Sequence, residues 1–206
     1  MPAISFVQLA PNADHRRESG KRYEARCRFC DTLDRIIERI GAMHPISILK
    51  YGQRQVVNAV KDLPDAAWDT PGVCGFWSVK QIIGHLIGWE HYFEEFIAPF
   101  AGKPIPTPHI DDYKVMDEDA YNDKYGTAAA TRTSIDLMAE FQTVNERVMT
   151  LAKLISEDTW RQLGTLPWSD SNDLEDFVVY GYYGHKYEHA AQIVVFRDKL
   201  NQQTKA

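Results

Sequence analysis

The chain has 206 residues, 44% of them hydrophobic and 25% charged, enough for one sizeable core in an ordinary globular composition. Its formal net charge of −6 disfavours long-range attraction to nucleic acid or an anionic membrane, and no apolar run approaches the roughly 20 residues that span a bilayer. Three unevenly spaced cysteines do not build a disulfide framework.

The first 42 residues differ from the rest. They carry seven arginines and one lysine against six acidic residues, whereas residues 43–206 carry 15 basic and 23 acidic residues. The opening MPAISFVQLAPNADHRRE lacks a charged segment followed by a long apolar one, so no secretory signal is expected and a reducing cytoplasm is the default location. Phe29, Leu33, Ile36 and Ile40 follow helical spacing, with Gly41 as a stop. Residues 1–42 therefore read as an N-terminal extension carrying a short helix, or as an over-long gene model with its start at Met43. Cys27 and Cys30 form a CxxC pair without the two further ligands a zinc site needs.

Residues 43–206 read as one all-α domain, a four-helix bundle with a long connection between helices two and three. The first helix is expected from Ile46 to Leu63, on the stripe Leu49, Gln53, Val56, Val60 and Leu63, and Pro64 stops it. The second opens on Ser78 with Gln81 three residues on, a capping-box pattern. It runs through Ile82, His85, Leu86, Trp89, Phe93 and Phe96 to a stop before Pro99. The linker GKPIPTPHIDDYKVMDEDAYNDKYGTAAATR is long enough to cross the bundle, and MDEDAYNDKY is expected to form a short helix within it. The third helix starts at Thr133 or Ser134, with Leu137, Phe141, Val144, Val148, Leu151 and Ile155 on one face. The fourth starts near Asn172, capped with Glu175 three residues on, and continues to about Leu200, on the stripe Leu174, Val178, Tyr182, His185, His189, Gln192 and Phe196. Glu94, Glu95, Asp111 and Asp112 read as solvated charges. Glu90 and Glu188 flank the histidine region, either supporting it or simply exposed.

Residues four apart on a helix lie one above the other, so His185 and His189 can present two imidazoles to one point. Two imidazoles leave a divalent metal under-coordinated. His85, on the apolar stripe of the second helix, is the candidate third ligand. Three histidines with a position left for water form an open, chemically competent site. The alternative is a set of hydrogen-bonded core histidines. Gly84, Gly88, Gly181 and Gly184 either make room beside these ligands or allow close helix packing. Cys74 is a lone thiol with no base fixed beside it. No Gly-rich phosphate loop, GxSxG or HExxH motif is present.

FWSVKQIIGHLIGWE (residues 76–90), MDEDAYNDKYGTAAATRTSIDLMAEF (116–141) and VYGYYGHKYEHAAQI (179–193) together resemble the signature segments of the DinB/YfiT-like superfamily. The resemblance covers about residues 46–200. It implies a four-helix bundle, often a homodimer, with a divalent metal held by His85, His185 and His189. Zinc and nickel both suit three neutral imidazoles. It also implies a small-molecule substrate and several chemistries. Some relatives activate a low-molecular-weight thiol for transfer to an electrophile, as in bacillithiol transferases and mycothiol-dependent maleylpyruvate isomerase. Others resemble hydrolases that use water, and a further branch includes a self-resistance protein against colibactin. On this basis the leading reading is a metal-dependent, thiol S-transferase-like detoxification enzyme. The alternatives are a metal-dependent hydrolase and a non-catalytic bundle that binds a small molecule or a partner. Trp89, Tyr92 and Tyr182 lie near the ligands on helical spacing and are candidate substrate-binding residues, with plain aromatic core as the competing reading.

Overall fold

The structure, a computed structural model, describes residues 44–203. The expected N-terminal extension, with its helix and its CxxC pair, lies outside the described residues.

Four long helices form the bundle: α1 (Pro45–Val60), α2 (Val79–Ile97), α5 (Ser134–Ala152) and α8 (Gly184–Gln203). Between α2 and α5 lie α3 (Pro108–Val115) and α4 (Glu118–Ala129). After α5 come the short α6 (Glu157–Trp160), α7 (Leu174–Asp176) and a π-helical segment, Phe177–Tyr183, that runs straight into α8. No strand is present among the described residues, only two isolated bridges, Cys74 with Trp77 and Leu166 with Ser169. No helix among them is long and apolar enough to cross a membrane.

The local signals explain the helix limits. Ser78 and Gln81 make the full reciprocal capping box at the start of α2, satisfying two of its orphan backbone donors. Thr133 caps α5. The chain leaves α1 at Lys61, slightly before the expected Leu63, and turns through Asp62 in the left-handed region at φ 62° before Pro64. The last helical run is capped by Asp173 with Asp176 rather than from Asn172, and it passes through a π segment that the apolar spacing did not distinguish from α.

Cross-helix pairings fix the directions. Tyr51 meets Tyr183, Gln53 meets Lys186 and Asn58 meets Arg197, so α1 and α8 run parallel. His91 meets Glu140 and Glu94 meets Arg147, so α2 and α5 are parallel as well. His85 against His185 and Glu90 against Tyr182 make α2 and α8 antiparallel. The α2–α5 connection therefore does traverse the bundle, and α4 fills the return path antiparallel to α2. Gly84 lies against Ala129 and Tyr125, Gly88 against Tyr125, and the Tyr121 hydroxyl donates to the Gly88 carbonyl at 3.0 Å.

The expected stripe of α5 is the core: Leu137, Phe141, Val144 and Val148 have no exposed surface. Two acidic residues read as solvated are instead buried. Glu94 takes both a 2.6 Å and a 2.8 Å hydrogen bond from the Arg147 guanidinium. Glu95 accepts from the backbone N–H groups of His109 and Ile110 and meets His109 Nδ1 at 2.6 Å. It thus caps the first turn of α3 and pins the long connection to α2. Both charges are tolerated inside because each is multiply hydrogen-bonded. Asp111 and Asp112 do lie at the surface side, paired with Lys114 and Lys124.

A candidate three-histidine metal centre

His85 sits two turns into α2, and His185 and His189 occupy the first turns of α8. The antiparallel crossing of these helices brings the three rings together. His185 Nε2 lies 2.6 Å from His85 Nε2 and 3.0 Å from His189 Nε2. Ring centroids are 4.7, 5.0 and 4.8 Å apart, and the rings stand steeply across one another. His85 and His189 are buried, while His185 is half-buried at the edge of the bundle. The Trp77 indole packs against His85 at 4.9 Å between centroids.

Burial disfavours the imidazolium, and the rings disfavour one another's charge. The pKa values of His85 and His185 are pushed well below the usual range, and burial pushes that of His189 down to about 4. All three are neutral at pH 7. The tautomer of His189 follows from its neighbours. Glu188 only accepts, so the Gln192 amide nitrogen faces it at 3.4 Å, and the Gln192 oxygen then accepts from His189 Nδ1–H at 2.9 Å. His189 Nε2 therefore turns a lone pair toward the cluster. In the metal-free cluster a single N–H on His185 must serve two close acceptors, or one contact sets lone pair against lone pair. A cation at the centre accepts all three lone pairs at once. A tetrahedral ion with bonds of about 2.0–2.1 Å holds its nitrogens roughly 3.3 Å apart, so the two close pairs would open by about 0.3–0.7 Å to fit one. The donor set thus suits a divalent ion of the zinc and nickel type.

The two sides of the site differ. Toward the interior, Trp89, Tyr92 and Tyr182 share with His185 the lining of an internal gap of about 10 Å³, room for one water at most. Trp89 Nε1 donates to Asn122 Oδ1 at 2.9 Å, and burial pushes the Tyr92 phenol up to about 12. Tyr182 donates to Glu90 and accepts from Asn145 Nδ2 at 3.0 Å. Glu90 is ion-paired with Lys186, whose ammonium lies 3.7 Å from the Tyr182 ring centroid and 3.3 Å from Gln53 Oε1. Glu90 is 1% and Lys186 2% exposed, so an ion pair stands in the bundle core beside His185.

Toward the surface, a groove of about 830 Å³ runs along the last helix, bounded by Val73 opposite and including His185, Glu188 and Gln192 in its lining. Gly181 and Gly184 lie on this open side, and a Cβ at Gly184 would meet only the Val179 carbonyl, at 3.6 Å. By contrast, a Cβ at Gly84 would come within 2.7 Å of the Tyr125 carbonyl, and one at Gly88 within 2.6 Å of its ring. The four glycines thus divide: two for helix packing, two on the groove. Burial and then Glu188 raise the Cys74 pKa, which keeps the thiol protonated.

Spacing brought out His185 and His189, the apolar stripe of the second helix suggested His85, and the structure brings the three together. Sequence reasoning missed Gln192 as the group orienting His189, although the i, i+3 spacing is its signal, and it missed the burial of Lys186, although the spacing Tyr182, Lys186, Ala190, Ile193 marks one face of the helix. Among the described residues, His85, His185 and His189 form the one metal-competent group of histidine, cysteine and carboxylate side chains.

Fold and site together define a four-helix bundle with a three-histidine cluster between its second and last long helices. The family model of the DinB superfamily matches residues 48–193, and the chain belongs to that superfamily. A crystal structure of a protein from Streptococcus pneumoniae shares the fold, with a TM-score of 0.55 at 13% identity over 78% of this chain and 88% of that one. No curated protein matches the chain.

Proposed function

We propose that His85, His185 and His189 bind one divalent metal ion, zinc or nickel, and that the chain is a metal-dependent enzyme of the thiol S-transferase type acting on a small electrophile. The observation that carries this reading is the convergence of three neutral, largely buried Nε2 atoms, one of them on a residue that lines an open groove. A bound divalent ion supplies Lewis acidity, holding a thiol as its thiolate at neutral pH. The chain's own part is positional. Gln192 sets the His189 tautomer, Trp77 packs on His85, and Trp89, Tyr92 and Tyr182 close the inner side against water. The groove leaves the outer side of His185 for reagents.

Glu188 favours a second reading, a metal-dependent hydrolase. Its carboxylate lines the same groove and is an acceptor for a proton from water.

Metal content of tag-free protein, measured by plasma mass spectrometry beside a His185→Ala, His189→Ala variant, tests the shared premise. One divalent ion per chain, lost in a variant that still folds, is the expected result. No metal after reconstitution would leave a non-catalytic bundle with structural histidines. Calorimetric titration of the metal form and the apo form with common cellular thiols then separates the two enzymes. Thiol binding to the metal form alone is expected for the transferase.

A further inference from the structure

We infer that the groove on the last helix is the electrophile subsite of the proposed centre, and that its own lining, before any metal is bound, takes flat apolar molecules that are neutral or cationic in preference to carboxylates. The inference rests on the metal-centre reading for its role in a reaction, but the binding preference stands on the groove alone.

The groove's volume of about 830 Å³ lies within the usual range for small-molecule sites, about 300–1,000 Å³. Its walls are apolar and aromatic: Val73, Val179, Val195 and the rings of Tyr180, Tyr183 and Tyr187. Tyr180, Tyr187 and Val195 are each more than half exposed, at 57%, 54% and 53%, so apolar surface there faces solvent rather than core. Tyr183 and Tyr187 lie ring to ring at 5.9 Å and continue onto Tyr51 at 6.0 Å from Tyr183, a row of faces suited to a planar guest. Gly181 and Gly184 both line the groove, and at Gly184 a Cβ would meet nothing nearer than 3.6 Å.

The charge pattern sets the rest. Among the described lining residues Glu188 is the one charged side chain, and no lysine or arginine joins it. It stands one turn from His185 and meets Gln192, which in turn holds His189, so the negative charge lies beside the histidines. The ammonium of Lys186, the next residue in sequence, turns inward to Glu90 and cannot answer an anion in the groove. An aromatic cation would bring its charge to Glu188 and its ring onto the tyrosines, a pairing also favoured by the ring faces. In the metal-free protein a carboxylate would meet Glu188 with no counter-charge among the described lining residues.

Three naphthalene probes that differ only in charge test this: 1-naphthylmethylamine, 1-naphthalenemethanol and 1-naphthoate, titrated by fluorescence into full-length protein with and without metal. In the metal-free form the expected order is amine tightest, alcohol next, and naphthoate at least about ten-fold weaker than the amine; in the metal form naphthoate is expected to gain, because the ion on His185, which lines the same groove, is a counter-charge. Glu188→Gln is expected to shrink the amine–naphthoate gap to about three-fold or less while leaving the alcohol unchanged. Tyr187→Ala, at an exposed position where folding is safe, is expected to weaken all three by a similar factor. Equal binding of amine and naphthoate to the metal-free form, a gap there that survives Glu188→Gln, or no binding of any probe would overturn the inference. Concentration-dependent self-association that excludes the probes would do so too, by giving the groove to a second copy. Probe binding without any metal site would sink the proposed enzyme and leave the subsite standing, and metal binding without probe binding would do the reverse.

Discussion

Replacing Lys186 with methionine removes a charge from the middle of the bundle and little volume. The loss is felt at Glu90, which is 1% exposed and keeps only the Tyr182 hydroxyl as a donor. Breaking a buried pair by removing one partner costs about 3–5 kcal/mol, because the remaining charge is uncompensated. At about 2–4 °C per kcal/mol for a domain of this size, thermal unfolding should fall by roughly 6–20 °C at pH 7. The remedy is to neutralise Glu90. In Glu90→Gln, Lys186→Met the amide oxygen still accepts from Tyr182, and stability should return to within about 1 kcal/mol of the parent, a coupling of at least about 2 kcal/mol. Urea and thermal melts of the parent, both single variants and the double variant, followed by circular dichroism, give the cycle. A Lys186→Met penalty below about 1 kcal/mol, or a double variant no better than the single one, would refute the picture of one coupled pair.

The acid limb of stability is set by the histidine cluster. The pKa of His189 lies at about 4, below the ordinary 6.5, so the unfolded chain takes up this proton first. Metal-free protein should therefore be most stable above pH 6.5 and lose about 3 kcal/mol through this residue as pH falls to about 4. Urea midpoints against pH, for the parent and His189→Phe, check this; parallel curves for the two would count against it. Gly84→Ala should destabilise by about 1–3 kcal/mol despite alanine's better helix propensity, since the added methyl meets Ala129 and the Tyr125 carbonyl; a stabilised variant in thermal melts would show that α4 yields easily. Gln192→Leu frees His189 Nδ1 and should weaken zinc binding by about 10–100-fold in chelator competition without unfolding the chain. Unchanged zinc affinity would mean that His189 is oriented by packing alone.

What was legible in the sequence divides along a physical line. Apolar periodicity reports which face of a helix is buried, so the Leu137–Phe141–Val144–Val148 stripe of α5 and the capping box at Ser78 were readable, as were the stops at Pro64 and Pro99. The histidine pair was readable because i, i+4 spacing is a purely local property. Pairings between distant residues were not. A glutamate does not reveal that an arginine 53 residues later will meet it, as Arg147 meets Glu94, so buried carboxylates passed as solvated ones. The glycines were ambiguous for the same reason: whether a missing Cβ serves packing or access depends on what α4 or the groove brings to it. The π segment was hidden because its residues, a phenylalanine, two valines, three tyrosines and a glycine, fit either helix type.

The phase of that last helix decides the character of the site. Tyr182, Lys186, Ala190 and Ile193 point into the bundle and are 5%, 2%, 4% and 0% exposed. His185 precedes Lys186 by one residue and so falls on the border of the buried face, half-covered, with the groove on one side and His85 on the other. A histidine one position later would be sealed in the core, beyond any reagent. One position earlier it would face solvent, out of reach of α2. The neighbouring lysine is the consequence: holding His185 at this border puts residue 186 in the interior, where an ammonium is stable only because Glu90, Gln53 and the Tyr182 ring surround it. The proposed centre is therefore open along the last helix rather than through the α3–α4 connection, which is fastened to the far side of α2 by Glu95 and by Tyr125 against Gly88.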